Sequence, residues 1–130
     1  MTGLLLIFSS LYLSFYFKKN SSQQLIIATA ERELGKSYLY NTGFSRRELI
    51  VDSTPISNLD SVETMETGEV RISFLNGYVV KIFPNSMVTV EFHSENQETT
   101  ITLGRGRMRV ETIGRDSQFF IAKDGRKIPA

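Results

Sequence analysis

The sequence predicts an all-β fold, a single antiparallel-rich roll or sandwich of short strands that follows one N-terminal transmembrane helix. Three observations carry this prediction. Beyond residue 25, apolar and polar residues alternate with a period of two, the pattern of strands that turn one face to a core. Gly, Pro and Asn interrupt that pattern at intervals of about ten residues, a spacing that suits short strands and tight turns rather than strand–helix units. From Gly3 to Phe17, by contrast, the chain is uncharged and apolar on every helical face.

At 130 residues the chain has room for one domain with a real core, and not for two domains plus a membrane segment. It divides into an N-terminal membrane anchor at 1–19, a polar linker at 20–24 and a β-domain at 25–130. In the anchor, Leu4, Leu5, Leu6, Ile7, Phe8, Leu11, Leu13, Phe15 and Phe17 form the apolar body. At ~1.5 Å per residue the run reaches roughly 25 Å against a hydrocarbon core of ~30 Å, so it spans with local thinning or with help from its flanks. Tyr12, Tyr16, Lys18 and Lys19 suit an interface, through amphipathic rings and snorkelling amines. A cleaved signal peptide and a helix buried in the domain are the rival readings. Ala28-Thr29-Ala30 has the small residues of a cleavage site, but it lies well past the apolar run and beyond two lysines, which disfavours cleavage there.

In the β-domain, Leu25 to Leu34 holds good helix formers and also fits a strand, with Leu25 to Thr29 as the preferred strand. Leu39 and Tyr40, the turn Asn41-Thr42-Gly43, and Glu48 to Asp52 read as a hairpin. Val70, Ile72 and Phe74 line one face of a strand, as do Val88, Val90 and Phe92 of another. Between the first of these and a strand from Tyr78 to Phe83, Asn76-Gly77 predicts a two-residue hairpin turn with both residues at positive φ. Pro84-Asn85 then ends the strand, because proline cannot donate to a ladder and asparagine tolerates turn geometry. Ile101 with Leu103, Met108 with Val110, and Phe119 with Ile121 continue the pattern between glycines.

Charge and residue inventory narrow the chemistry. Lys and Arg total 15 against 14 for Asp and Glu, a net +1 that gives no field for nucleic acid, and none is expected as a partner. The chain has no cysteine, which removes disulfides, thiolate metal sites and cysteine nucleophiles. His93 is the only histidine, so a histidine-rich metal cluster, a Ser-His-Asp triad and the usual two-histidine zinc motifs are not expected, and a solvated strand end is the plain reading of it. Glu63, Glu66 and Glu69 lack the Asp/Asn-rich loop that calcium needs and read as a solvated rim. Gly104-Arg105-Gly106-Arg107 lacks the Lys-Ser/Thr ending of a phosphate loop. No catalytic residue, cofactor or metal is therefore expected. Arg105, Arg107 and Arg109 would form a basic stripe on the solvent face of a regular strand, and they are the candidate contacts for an anionic ligand or a partner.

Asp60-Ser61-Val62-Glu63-Thr64, Gly68 to Gly77, Pro84-Asn85-Ser86 and Leu103 to Val110 follow one another in an order and spacing that resemble the FecR domain, and Phe120-Ile121-Ala122 resembles its closing strand. The resemblance runs from about Leu25 to Ala130. It implies an extracytoplasmic β-domain of the bacterial envelope, of the kind that senses transporter occupancy in iron-uptake regulators, with no catalytic residue. No sigma-factor-binding part precedes the apolar segment and the sequence stops soon after Gly125, so the expectation is a FecR-like module without that part and shortened at its C-terminus. The expected function is a membrane-anchored module that binds another envelope protein, a cell-wall component or a ligand, in signal transduction. The expected location is the bacterial inner membrane, single-pass, with the β-domain in the periplasm. Lys18 and Lys19 bias the domain towards the cytoplasm instead. The alternative function is a bitopic β-roll of lipid transport, with Phe74, Phe83, Phe92, Phe119 and Phe120 lining a greasy groove.

Overall fold

Alternation becomes structure wherever a strand finds a neighbour to pair with, and in the computed structural model the described residues form twelve such strands. The structure describes residues 25–115 and 118–130; the anchor and linker readings for 1–24 lie outside them. Among the described residues no helix is long and apolar enough to cross a membrane. The strands are β1 (Ile26–Leu34), β2 (Ser37–Tyr40), β3 (Arg47–Leu49), β4 (Thr54–Ser57), β5 (Ser61–Thr64), β6 (Glu69–Phe74), β7 (Val79–Ile82), β8 (Met87–His93), β9 (Glu98–Arg105), β10 (Met108–Thr112), β11 (Phe119–Lys123) and β12 (Arg126–Pro129). One sheet has the order β10-β7-β6-β1-β4 and the other β12-β11-β9-β8-β5-β2-β3. Every pairing is antiparallel except β11 on β9, which is parallel.

The inner faces of the two sheets supply one core. Val70, Ile72 and Phe74 of β6 meet Val88 and Val90 of β8, together with Val80, Ile82, Val62 and Ile101, nearly all fully buried. Each such side chain contributes on the order of 2 kcal/mol by leaving water. Phe119 wedges into this core, stacked on Tyr78 at 4.2 Å and edge-on to Phe74 at 4.9 Å. Of the five phenylalanines, Phe74 and Phe119 are buried, and Phe83, Phe92 and Phe120 are partly covered.

Two expectations change in the structure. β1 runs through Leu34, well past Thr29, and the helical alternative is not adopted. Ala28 and Ala30 are fully buried between β4 and β6, so tertiary pairing overrides local helix preference. The β6–β7 hairpin has a three-residue loop, not a two-residue one. Ser73 faces Val79, Phe74 N–H donates to Tyr78 O, and Gly77 N–H donates to Phe74 O. Gly77 alone has positive φ, at 95°, and Asn76 instead accepts the Tyr78 N–H on its side-chain oxygen at 3.3 Å. This is a type I turn closed by a glycine bulge, the next most common hairpin after the primed two-residue turns.

Four crossovers between the sheets stack into a corner: residues 35–36, 65–68, 83–86 and 106–107. Met65 N–H donates to Lys36 O at 3.0 Å, Asn85 N–H to Met65 O at 3.1 Å and Phe83 N–H to Arg107 O at 3.0 Å. Two buried hydroxyls complete the stack. Thr64 Oγ1 donates to Phe83 O at 2.7 Å and accepts Ser86 N–H at 2.9 Å; Ser86 Oγ accepts Arg107 N–H at 2.9 Å and lies 3.1 Å from Arg107 O. Pro84 and Asn85, the latter at φ 57°, form the turn that delivers Ser86. Gly106, at φ 85°, passes so close that a Cβ there would overlap Ser86.

Gly106→Ala should therefore cost about 3 kcal/mol or more, from left-handed strain plus displacement of a hydrogen-bonded serine. Gly125→Ala has a similar φ of 78° in open space and should cost only about 1 kcal/mol. Urea melts of the two variants compare strain alone with strain plus overlap, and equal losses would show that Ser86 does not constrain the corner.

Candidate functional site

The arginines sit where the corner delivers them, and the corner separates them. Because Gly106 turns the chain from one sheet to the other, Arg105 ends β9, Arg107 lies in the crossover and Arg109 belongs to β10 in the opposite sheet. The regular stripe expected of alternate positions on one strand is thus not formed. Arg105 ion-pairs with Glu63 at 2.5 Å, and Tyr40 donates its hydroxyl to the same carboxylate at 2.8 Å. Arg105 first and Tyr40 second hold the Glu63 carboxyl below its usual range.

Arg107 and Arg109 meet again through Phe83. The Arg107 guanidinium lies 4.4 Å from the ring centroid, Arg109 5.4 Å and the Lys81 ammonium 5.5 Å, within reach of cation–π attraction. Lys81 is also paired with Glu69 at 3.0 Å, and Arg109 with Glu111 at 3.0 Å. Arg71 bridges Glu111 and Glu33 at 2.9 Å each, and the Glu111 carboxyl is held below its usual range by Arg109 and then Arg71. Among the described residues Arg107 has no carboxylate partner, so in this cluster it is the cation left for an anion from outside.

At the other end of the sandwich the open side between edge strands β3 and β4 forms a cleft of about 550 Å³. Asn41, Thr42, Arg46, Arg47, Glu48, Asn58 and Asp60 supply its polar lining, and Ile26, Leu39 and Pro55 its apolar one. Asn41 positions the loop by accepting Arg46 N–H at 2.6 Å, and Asn58 accepts Phe92 N–H at 2.7 Å, so the lining is fixed by backbone bonds. Arg47 lies 4.3 Å above the Tyr38 ring. Asp60 is buried and accepts Ser57 N–H at 2.8 Å; burial raises its pKa, opposed by hydrogen bonds from the Ser57 and Thr42 backbone. The arrangement offers cations, an acid and amides to a polar ligand or a peptide. Sequence reasoning missed this cleft, although the turn residues Asn41-Thr42-Gly43 and Asn58 to Asp60 that build it are visible in the chain.

The remaining candidates resolve simply. His93 is exposed at the end of β8, with Nε2 2.7 Å from Glu91 Oε1 on the same strand face. Among the described residues no group of three or more His, Cys, Asp or Glu is placed to hold a metal ion.

Residues 60–125 match the family model described as FecR protein. The chain belongs to the FecR family. The matched FecR span opens at Asp60 and contains Thr64, Phe83, Ser86 and all three arginines, so the corner and its cationic cluster lie inside it. Strands β1 to β4 and most of the cleft lie before it, and the resemblance read from Leu25 onward is wider than the match. Comparisons with curated proteins and with solved structures give no match.

Asp60 and Glu63 should act on stability in opposite senses. Asp60, raised in the fold, contributes stability that is complete below its unfolded pKa and is lost as pH rises through the folded value. Glu63, lowered in the fold, contributes stability present above its unfolded pKa and lost as pH falls through the folded value. Asp60→Asn keeps an acceptor for Ser57 and should gain on the wild type at neutral pH relative to acid. Arg105→Gln should lose up to about 1 kcal/mol at neutral pH and little in acid, since the pair is partly exposed. Thermal melts across the acid range check both signs.

Proposed function

We propose that the chain is a signal-transduction module of the bacterial envelope. Residues 3–17 anchor it in the inner membrane, the β-domain stands in the periplasm, and the domain binds another envelope protein or a cell-wall component without chemistry of its own. The observation that carries this is the FecR match over 60–125 in a chain whose residues 3–17 form an uncharged apolar segment. Family membership supports a regulatory role, and the apolar segment supports anchoring. Lys18 and Lys19 favour the opposite orientation, but they are two charges that can snorkel at either interface.

The Phe83 cluster is the surface we assign to the partner. It lies within the matched span, and Arg107, without a carboxylate partner among the described residues, presents a planar guanidinium suited to a carboxylate or phosphate. Arg105 is occupied by Glu63 and serves the fold.

An alkaline phosphatase fused after Ala130 should be active, and a fluorescent protein that matures only in the cytoplasm should stay dark; the reverse pattern overturns the location and the function together. In crosslinked membranes, Arg107→Ala should reduce partner recovery with an unchanged melting temperature, whereas Arg105→Ala should lower the melting temperature and leave recovery intact.

A further inference from the structure

The end of the sandwich opposite the corner gathers exposed apolar side chains. Leu75 and Ile113 are 78% and 72% exposed, and Leu25, Ile26, Phe44 and Leu59 are also exposed. They are neighbours through the backbone. Arg115 N–H donates to Asn76 O at 3.1 Å and Leu75 N–H to Ile27 O at 3.3 Å; Ile26 faces Ser57 across β1 and β4, and Thr42 Oγ1 donates to Asn58 O at 3.0 Å. Ile113, Leu75, Leu25 with Ile26, Leu59 and Phe44 therefore follow one another along the end of the five-stranded sheet and onto the loop beside it.

Two of these residues hold a backbone that bulky side chains disfavour. Leu59 has φ 69° and Phe44 φ 58°, the left-handed region where Gly or Asn sits with less strain. Both side chains are nevertheless exposed, Leu59 at 42% and Phe44 at 57%, with the Phe44 ring against Tyr40 at 5.2 Å. Arg46 and Arg115 stand exposed at the same end, with no carboxylate partner among the described residues.

We propose that this end rests on the surface of a lipid bilayer, its apolar tips in the interfacial region and Arg46 and Arg115 at anionic headgroups. The inference rests on the anchored reading above and adds a fixed orientation to it. The chain enters this end at Leu25, and only residues 18–24 separate Leu25 from the apolar segment, a tether of at most about 25 Å. Loop tips that mix large apolar side chains with arginines match the interface, where apolar groups partition and cations meet headgroup phosphate.

The absence of cysteine makes the test direct. Leu75→Cys and Ile113→Cys, with Leu34→Cys at the corner end as control, each carry one nitroxide on the full chain reconstituted into phosphatidylglycerol and phosphatidylethanolamine liposomes. All three sites are exposed, so the substitutions should leave the melting temperature unchanged. Labels at 75 and 113 should be several-fold less accessible to a water-soluble nickel chelate than the label at 34, and more accessible to oxygen. Equal accessibility at the three sites in a chain that floats with the liposomes overturns the docked end and leaves the anchor standing. A chain that does not float overturns the anchor, and the docked end with it. Protection that rises with protein density at fixed lipid assigns the end to a second copy of the chain and likewise overturns the proposal.

Discussion

Two hydroxyls at one corner carry a constraint on which the rest of the sandwich depends. Thr64 and Ser86 each use donor and acceptor together, and between them they join β5, the β7–β8 turn and the β9–β10 crossover. A sandwich whose chain passes repeatedly from sheet to sheet must bury backbone amides at the passages, and a buried amide without a partner costs about 1–3 kcal/mol. The two side chains satisfy those amides where neither sheet's ladder can reach them.

The same corner determines what the arginines can do. Had the chain continued straight through Gly106, three guanidiniums would have faced solvent in a row. Turned through it, Arg105 falls beside Glu63 in one sheet, and Arg107 from the crossover and Arg109 from the other sheet converge on Phe83. Structure and surface chemistry are here the outcome of one backbone conformation, and a change at Ser86 would disturb both.

What was legible in the chain was what neighbours in sequence decide. The alternation of Val70, Ile72 and Phe74 needs only the geometry of a strand, and it placed the core face correctly. The identities of the residues in the Asn76-Gly77 turn were local too, but the loop length depends on Ser73 facing Val79, a register that pairing with β1 helps to fix. Ala28, Glu31 and Arg32 favour a helix until β4 and β6 arrive on either side. Arg105, Arg107 and Arg109 were recognised as a group, yet their separation depends on Gly106 meeting Ser86, a contact no local pattern encodes. The cleft was invisible for a similar reason, since Asn41 and Asp60 are brought together by the pairing of β2 with β5, and Pro55 and Ser57 reach them from β4 of the other sheet.

The strand order has a further consequence, in time. Only β2–β3, β6–β7, β8–β9 and β11–β12 pair with their neighbours in sequence; β1 must wait for β4 and β6, and β5 lies between β2 and β8. Such non-local pairing makes for slow folding, because each ladder closes a long loop before any contact rewards it. As the chain emerges, β1 is the first strand made and stays without a partner on either edge until β4 follows at Thr54–Ser57, and on one edge until β6 follows at Glu69–Phe74, so the strand next to the apolar N-terminus is the one longest exposed to mispairing with another chain.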